Sequence, residues 1–174
     1  EGGLGGHSGV DINKGRCSAM VPAKNLLKAI CQRSDIVVAH IDLGEANASI
    51  ASKGEIVVGT PVGEASEFLQ KTVESINLWL REEFGNTDPR IHCCIEACGQ
   101  PDTIIPQQAL AALVNCLEQV PQGVVKMSKT MPGTVETSNN IGRVVTEKDH
   151  IFVSTHTRSF IDNDMAALSQ EIAK

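Results

Sequence analysis

Apolar residues recur at helical spacing between positions 64 and 84, where Leu69, Val73, Ile76, Leu80 and Phe84 step by fours and threes. Such a stripe faces a core while the Glu, Gln, Lys and Arg between its members stay in water, so the segment is predicted to be a long amphipathic helix ended by Gly85-Asn86. Met20, Ala23, Leu27 and Ile30 predict a shorter helix over 19–31, with Pro22 tolerable only in its first turn. Leu110, Leu113, Val114 and Leu117 predict a third, opened at Pro106 and running up to Pro121. Residues 35–43 and 55–58, the alternating run 91–97, and residues 123–128 read as strands. Residues 134–146 and 150–159 read as a hairpin turning near Glu147-Lys148-Asp149. Asp162 or Asp164 is placed to cap a last helix through Ile172. Helices and strands mix without strict alternation, and neither an internal repeat nor a long linker interrupts them. The pattern predicts one α+β domain over 1–174: a two-layer sandwich, ferredoxin-like but elaborated, with helices on one face of a mainly antiparallel sheet.

Composition narrows the function classes. Of 174 residues, 41% are hydrophobic and 21% charged, ordinary for a folded globular chain. The net charge of −6 leaves no basic footprint for nucleic acid or anionic lipid, and 3% aromatics with no Tyr supply few stacking faces. No apolar run approaches the ~20 residues of a membrane span, and no charged-then-apolar signal segment opens the chain. Six cysteines in a chain this long are too sparse for a disulfide scaffold and read as reduced thiols, so a cytoplasmic location is expected. Cys93, Cys94 and Cys98 stand near His92, but they lack Cys-x-x-Cys spacing and a second matching pair, so no metal site is assigned to this chain.

Several residues carry candidate chemistry. His7 lies in the glycine-rich run Gly2-Gly3-Leu4-Gly5-Gly6-His7-Ser8-Gly9, which would present rather than bury it and let it donate to a carboxylate or an oxyanion. Arg158 closes a long strand, where a guanidinium suits bidentate capture of a carboxylate or simply meets solvent. Asn140, in Asn139-Asn140, either offers its amide to a substrate or serves a turn. His40-Ile41-Asp42 together with Glu82-Glu83 imitates a zinc hydrolase set, but a two-metal site needs more ligands than these, and the glutamates fit the wet face of their helix. No cysteine has a base placed beside it by sequence, which disfavours a cysteine nucleophile.

Two blocks carry a family resemblance. Gly3-Leu4-Gly5-Gly6-His7-Ser8-Gly9-Val10-Asp11-Ile12 with Gly15-Arg16 resembles the GLxGGHSGxxIxxGR segment of aminoacyl-histidine dipeptidases, the Xaa-His dipeptidases. Gly133-Thr134-Val135-Glu136-Thr137-Ser138-Asn139-Asn140-Ile141-Gly142, followed by Arg158-Ser159-Phe160-Ile161-Asp162, is similar to that family's GVVETSxNxG and RSxID segments. The resemblance implies the lid and dimerisation domain inserted in a zinc metallopeptidase, with the zinc ligands in a catalytic domain outside this chain and none within it. It implies a homodimer that hydrolyses dipeptides ending in histidine. In it, His7 steadies the oxyanion in the partner subunit's active site, Arg158 grips the terminal carboxylate, and Asn140 lies near the substrate. Cys17-Ser18-Ala19 departs from the family pattern, and so does the proline-free stretch 44–54, which leaves a substrate role for Asn47 unsupported. The other function class left open is a stand-alone module binding a small carboxylated ligand.

Overall fold

The computed structural model describes residues 1–174. Its elements run β1 (Gly6–His7), α1 (Met20–Ile30), β2 (Val37–Leu43), β3 (Ser49–Ile50), β4 (Gly54–Gly59), α2 (Glu64–Phe84), α3 (Gln107–Gln119), β5 (Gly123–Met127), β6 (Val135–Thr146), β7 (Ile151–Ser159) and α4 (Asp162–Ile172). This is the α+β, two-layer, mainly antiparallel arrangement that the hydrophobic pattern predicts.

One antiparallel sheet is ordered β4-β2-β6-β5, and β7 pairs along β6 as well. β6 is long enough to hold two neighbours in tandem: Asp42 and Leu43 of β2 lie against Val145 and Val144, while β5 lies against 135–139. β7 runs beside most of β6, from Thr137↔Ser159 to Thr146↔Ile151, and makes the hairpin expected between them. Apolar side chains of all three long helices meet the sheet in one cluster that includes Leu27, Ile30, Leu69, Leu110, Leu117, Ile41, Leu43 and Val144. Leu27, Ile30, Ile41 and Val144 are wholly buried, and each such side chain contributes ~1.5–3 kcal/mol over its exposed state. Ile172 of α4 and Ile151 and Val153 of β7 pack at the edge of this core.

Three local expectations are corrected. Residues 91–97 form no strand. Alternation alone cannot supply a ladder, and the segment is held instead by the Asn77 amide, which donates to the Cys93 carbonyl and accepts the Cys93 N–H, both at 2.8 Å. Neither Asp162 nor Asp164 caps α4, whose N-cap is Ile161 with no side-chain bond. Asp164 takes an ion pair from Lys126 of β5 at 2.7 Å, and Lys126 also reaches Glu136 at 2.6 Å, fastening α4 to the sheet. The glycine-rich run also contains a short strand: Gly6 and His7 pair with Ile50 and Ser49.

Candidate functional site

The loop carrying His7 is built to hold its shape. Gly5 and Gly6 have φ of +61° and +131°, and a Cβ on Gly6 would stand 2.6 Å from Asp11 Oδ2 and 2.3 Å from Arg16 Nη1, so no other residue fits there. Asp11 closes the loop by accepting the His7 N–H at 2.8 Å and pairing with Lys14 at 2.7 Å. Arg16 donates to the Gly5 carbonyl at 2.7 Å. At the root, the buried carboxylate of Asp88 accepts the Leu4 N–H at 3.0 Å and the Cys17 N–H at 3.3 Å, pinning both ends of the loop.

The His7 ring is exposed and oriented. Its Nδ1 accepts two backbone N–H groups, from Gly9 at 3.1 Å and Val10 at 3.2 Å. The ring hydrogen therefore sits on Nε2, which becomes a donor aimed away from its own loop. Arg158, on the neighbouring strand β7, donates Nε–H to the buried Ser8 hydroxyl at 3.3 Å and pairs with no carboxylate. The two side chains flank Gly9: a Cβ there would lie 3.1 Å from Arg158 Cδ and 3.2 Å from both Arg158 Nε and His7 Cε1. An oriented N–H donor and an unpaired guanidinium are thus set side by side, a combination suited to a polar anionic ligand.

Asn140 is placed differently from the substrate contact that the resemblance implies. It is fully buried; its amide hydrogens go to the Asn47 carbonyl at 3.2 Å and the Ser49 carbonyl at 2.8 Å, and its oxygen accepts from Gln122 at 3.1 Å. No amide hydrogen is left for a ligand. The residue instead fixes segment 47–50, whose Ile50 and Ser49 pair with Gly6 and His7 and whose Ala48 carbonyl takes the Ser8 N–H. The set His40, Asp42, Glu82 and Glu83 does not assemble a metal pair. Asp42 faces Arg143 at 3.2 Å, and the two glutamates are exposed on the last turn of α2.

Sequence reasoning missed Asp88, Ser8, Gly9 and His156. His156 stands two residues before Arg158 on β7, and its pKa is lowered by burial, by the positive charge of Arg158 and by the nearness of the His7 ring. The folded state therefore favours neutral His156. Its stabilising contribution is complete above the unfolded value of 6.5 and is lost as pH falls below it. His156→Gln is expected to flatten the acid limb of the thermal midpoint, measured between about pH 7.5 and 5.5. An unaltered limb would show that His156 is not destabilised by its neighbours.

Comparison with known proteins bears on the whole chain. It is similar to part of an aminoacylhistidine dipeptidase. The crystal structure of that enzyme from Vibrio alginolyticus superposes with a TM-score of 0.90 and 26% identity, over 99% of this chain and 35% of the enzyme. The cytosol non-specific dipeptidase of Escherichia coli strain K12 is 21% identical over 159 residues, covering 91% of this chain and 33% of that protein. No family model matches the chain. The chain therefore spans about a third of the length of the relatives it matches, and over that third it resembles dipeptidases in fold and in sequence. None of its helices is long and apolar enough to cross a membrane.

Proposed function

We propose that this chain is the lid and dimerisation domain of a zinc-dependent, cytoplasmic dipeptidase. Its substrates are dipeptides, with C-terminal histidine the preferred class. The observation that carries this reading is the placement of His7 and Arg158 on either side of Gly9, one an oriented N–H donor and the other a cation without a partner. His7 Nε2–H donates to the oxyanion that develops on the scissile carbonyl in the partner subunit's active site. Such a donor is useful because it is already aimed where charge appears. Arg158 takes the substrate's terminal carboxylate in a fork, with Ser8 fixing the guanidinium through Nε. Asn140 acts at one remove, holding the strand against which the His7 loop lies. In this reading the metal ions supply an activated water and are held by residues outside the chain, since His40, Asp42, Glu82 and Glu83 do not fit such a pair.

Dimerisation is supported by the sheet edge. β7 pairs on one side only, leaving nine residues of backbone open for a second copy to extend the sheet. The chain is expected to sediment at twice its 18.5 kDa mass, and a monomer at all concentrations would remove the pairing role.

The decisive test of the site is Arg158→Ala in the full-length enzyme. Loss of a bidentate carboxylate contact is expected to lower kcat/KM by about 10²-fold, mainly through KM. Removing the carboxylate from the substrate should then cost the variant almost nothing. An equal penalty in both proteins would place the carboxylate elsewhere. Tight calorimetric binding of a histidine dipeptide by the 174-residue chain alone would favour the stand-alone module.

A further inference from the structure

A second cluster of chemically active side chains lies away from the His7 loop. The start of the chain runs antiparallel to the segment after Ile91. The Glu1 nitrogen donates to the His92 carbonyl at 2.8 Å, and the His92 N–H returns a bond to the Glu1 carbonyl at 3.0 Å. A reciprocal pair of this kind sets the two side chains next to each other on one face. Two residues on, Cys94 projects to the same face of the extended segment. As a result Glu1 Oε1 lies 3.1 Å from His92 Nε2 and 3.7 Å from Cys94 Sγ, and the three donor atoms are all within 4.8 Å of one another.

The backbone beneath these side chains is held on both sides. The Asn77 amide clamps Cys93, the residue between His92 and Cys94, with two 2.8 Å bonds. Gly2, at φ +79°, passes so close to the Arg90 carbonyl that a Cβ would stand 2.2 Å from its oxygen. His92 is also oriented: its Nδ1 is 2.9 Å from the Arg90 carbonyl oxygen. A carbonyl only accepts, so Nδ1 carries a hydrogen, and Nε2 either donates to the Glu1 carboxylate as a protonated ring or, deprotonated, offers its lone pair to a cation that the carboxylate shares. A histidine fixed through Nδ1 to a carbonyl, with Nε2 turned to the other ligands, is the usual outer arrangement of a metal-ligating imidazole.

The two spacings to Glu1 fit a tetrahedral ion. With zinc-class bond lengths, ligand nitrogen and oxygen should stand about 3.3 Å apart and sulfur and oxygen about 3.5 Å apart. The observed separations are 3.1 and 3.7 Å. We propose that Glu1, His92 and Cys94 form a site for one zinc-class divalent cation, with a fourth position open to water. The mixed oxygen, nitrogen and sulfur donors favour zinc or cobalt over magnesium or calcium. Binding exchanges the thiol proton of Cys94 for the metal and releases it to solvent. The ion would tie Glu1 to the 92–94 segment and so steady the lead into Leu4 and the glycine loop. It takes no part in hydrolysis. Cysteine spacing gives no sign of this site, and Glu1 stands 91 positions from His92, a gap that no spacing rule spans.

The test uses the metal-free 174-residue chain, and it is independent of the dipeptidase reading because it needs neither substrate nor turnover. Titration with cobalt should give one equivalent of binding, a thiolate-to-cobalt charge-transfer band in the near ultraviolet, and loss of that band when zinc is added. Cys94→Ser should abolish the band. His92→Ala should weaken binding by about tenfold or more, and Cys98→Ser should change nothing; circular dichroism checks that each variant folds. No band, a band that survives Cys94→Ser, or one removed by Cys98→Ser would overturn the site and leave Glu1 and His92 as a simple ion pair.

Discussion

Full-length enzyme carrying His7→Ala is expected to lose about 10²–10³-fold in kcat, or ~2.7–4 kcal/mol of transition-state stabilisation, with KM nearly unchanged. The split follows from where the donor acts. Charge builds on the scissile oxygen only as the bond to water forms, so a hydrogen bond aimed at that position contributes little to ground-state binding. The stability of the chain should barely change. His7 is exposed, and the Gly9 and Val10 N–H groups that its Nδ1 accepts lie at the surface, where water replaces the ring. Steady-state kinetics beside a melting curve therefore separates a catalytic role from a structural one. A kcat within a few-fold of the parent would withdraw the oxyanion role from His7.

Asp88→Ala should have the opposite profile, a large loss of stability from a residue that touches no ligand. Its buried carboxylate has no cation against it and is satisfied by backbone N–H groups of Leu4 and Cys17. Removing it strands the buried Cys17 donor and the part-buried Leu4 donor, at ~1–3 kcal/mol for a buried group left unpaired and less for the other, so about 3 kcal/mol in all. For a chain of this size that corresponds to roughly 6–12 °C in Tm. Because the stranded donors sit at both ends of the glycine loop, hydrogen exchange of residues 4–17 should rise more than that of α2. Asp88→Asn keeps one accepting oxygen and should fall between the two. A uniform loss of protection across the domain would show that Asp88 supports the core in general and not the loop.

The helices and the long hairpin were legible because each is dictated by its own residues. The apolar stripe of α2 can be buried only as a helix, and its observed bounds, Glu64–Phe84, coincide with those read from the stripe. β6 and β7 carry long β-rich runs around a polar turn, and they pair as their order requires. Residues 91–97 show the limit of that logic. They alternate as well as a strand does, but a strand needs a neighbour with free backbone groups, and here Asn77 and Glu1 take those groups.

The candidate site divides in the same way. His7 and Arg158 are visible in the sequence, one by the glycines around it and the other by its place in a recognisable segment. Asn140 is visible too, but its segment says nothing of where its amide points, and tertiary packing turns it inward to Asn47 and Ser49. Asp88 sits before a proline and reads as an ordinary turn residue; its part in the loop exists only because the fold brings it to Leu4 and Cys17, 84 and 71 positions away.

By itself, then, the sequence determined the class of the fold and the extent of its main helices and hairpin, and it singled out His7 and Arg158 as candidates to meet an anionic ligand. Those properties depend on side-chain periodicity and local backbone freedom, which neighbouring residues set. The tertiary structure alone decided that His7 and Arg158 share one surface across Gly9, that Asn140 is a brace, and that Glu1 meets His92 and Cys94. Each of these requires segments far apart in the chain to be held within hydrogen-bonding distance, and it is burial of the common core that brings them there.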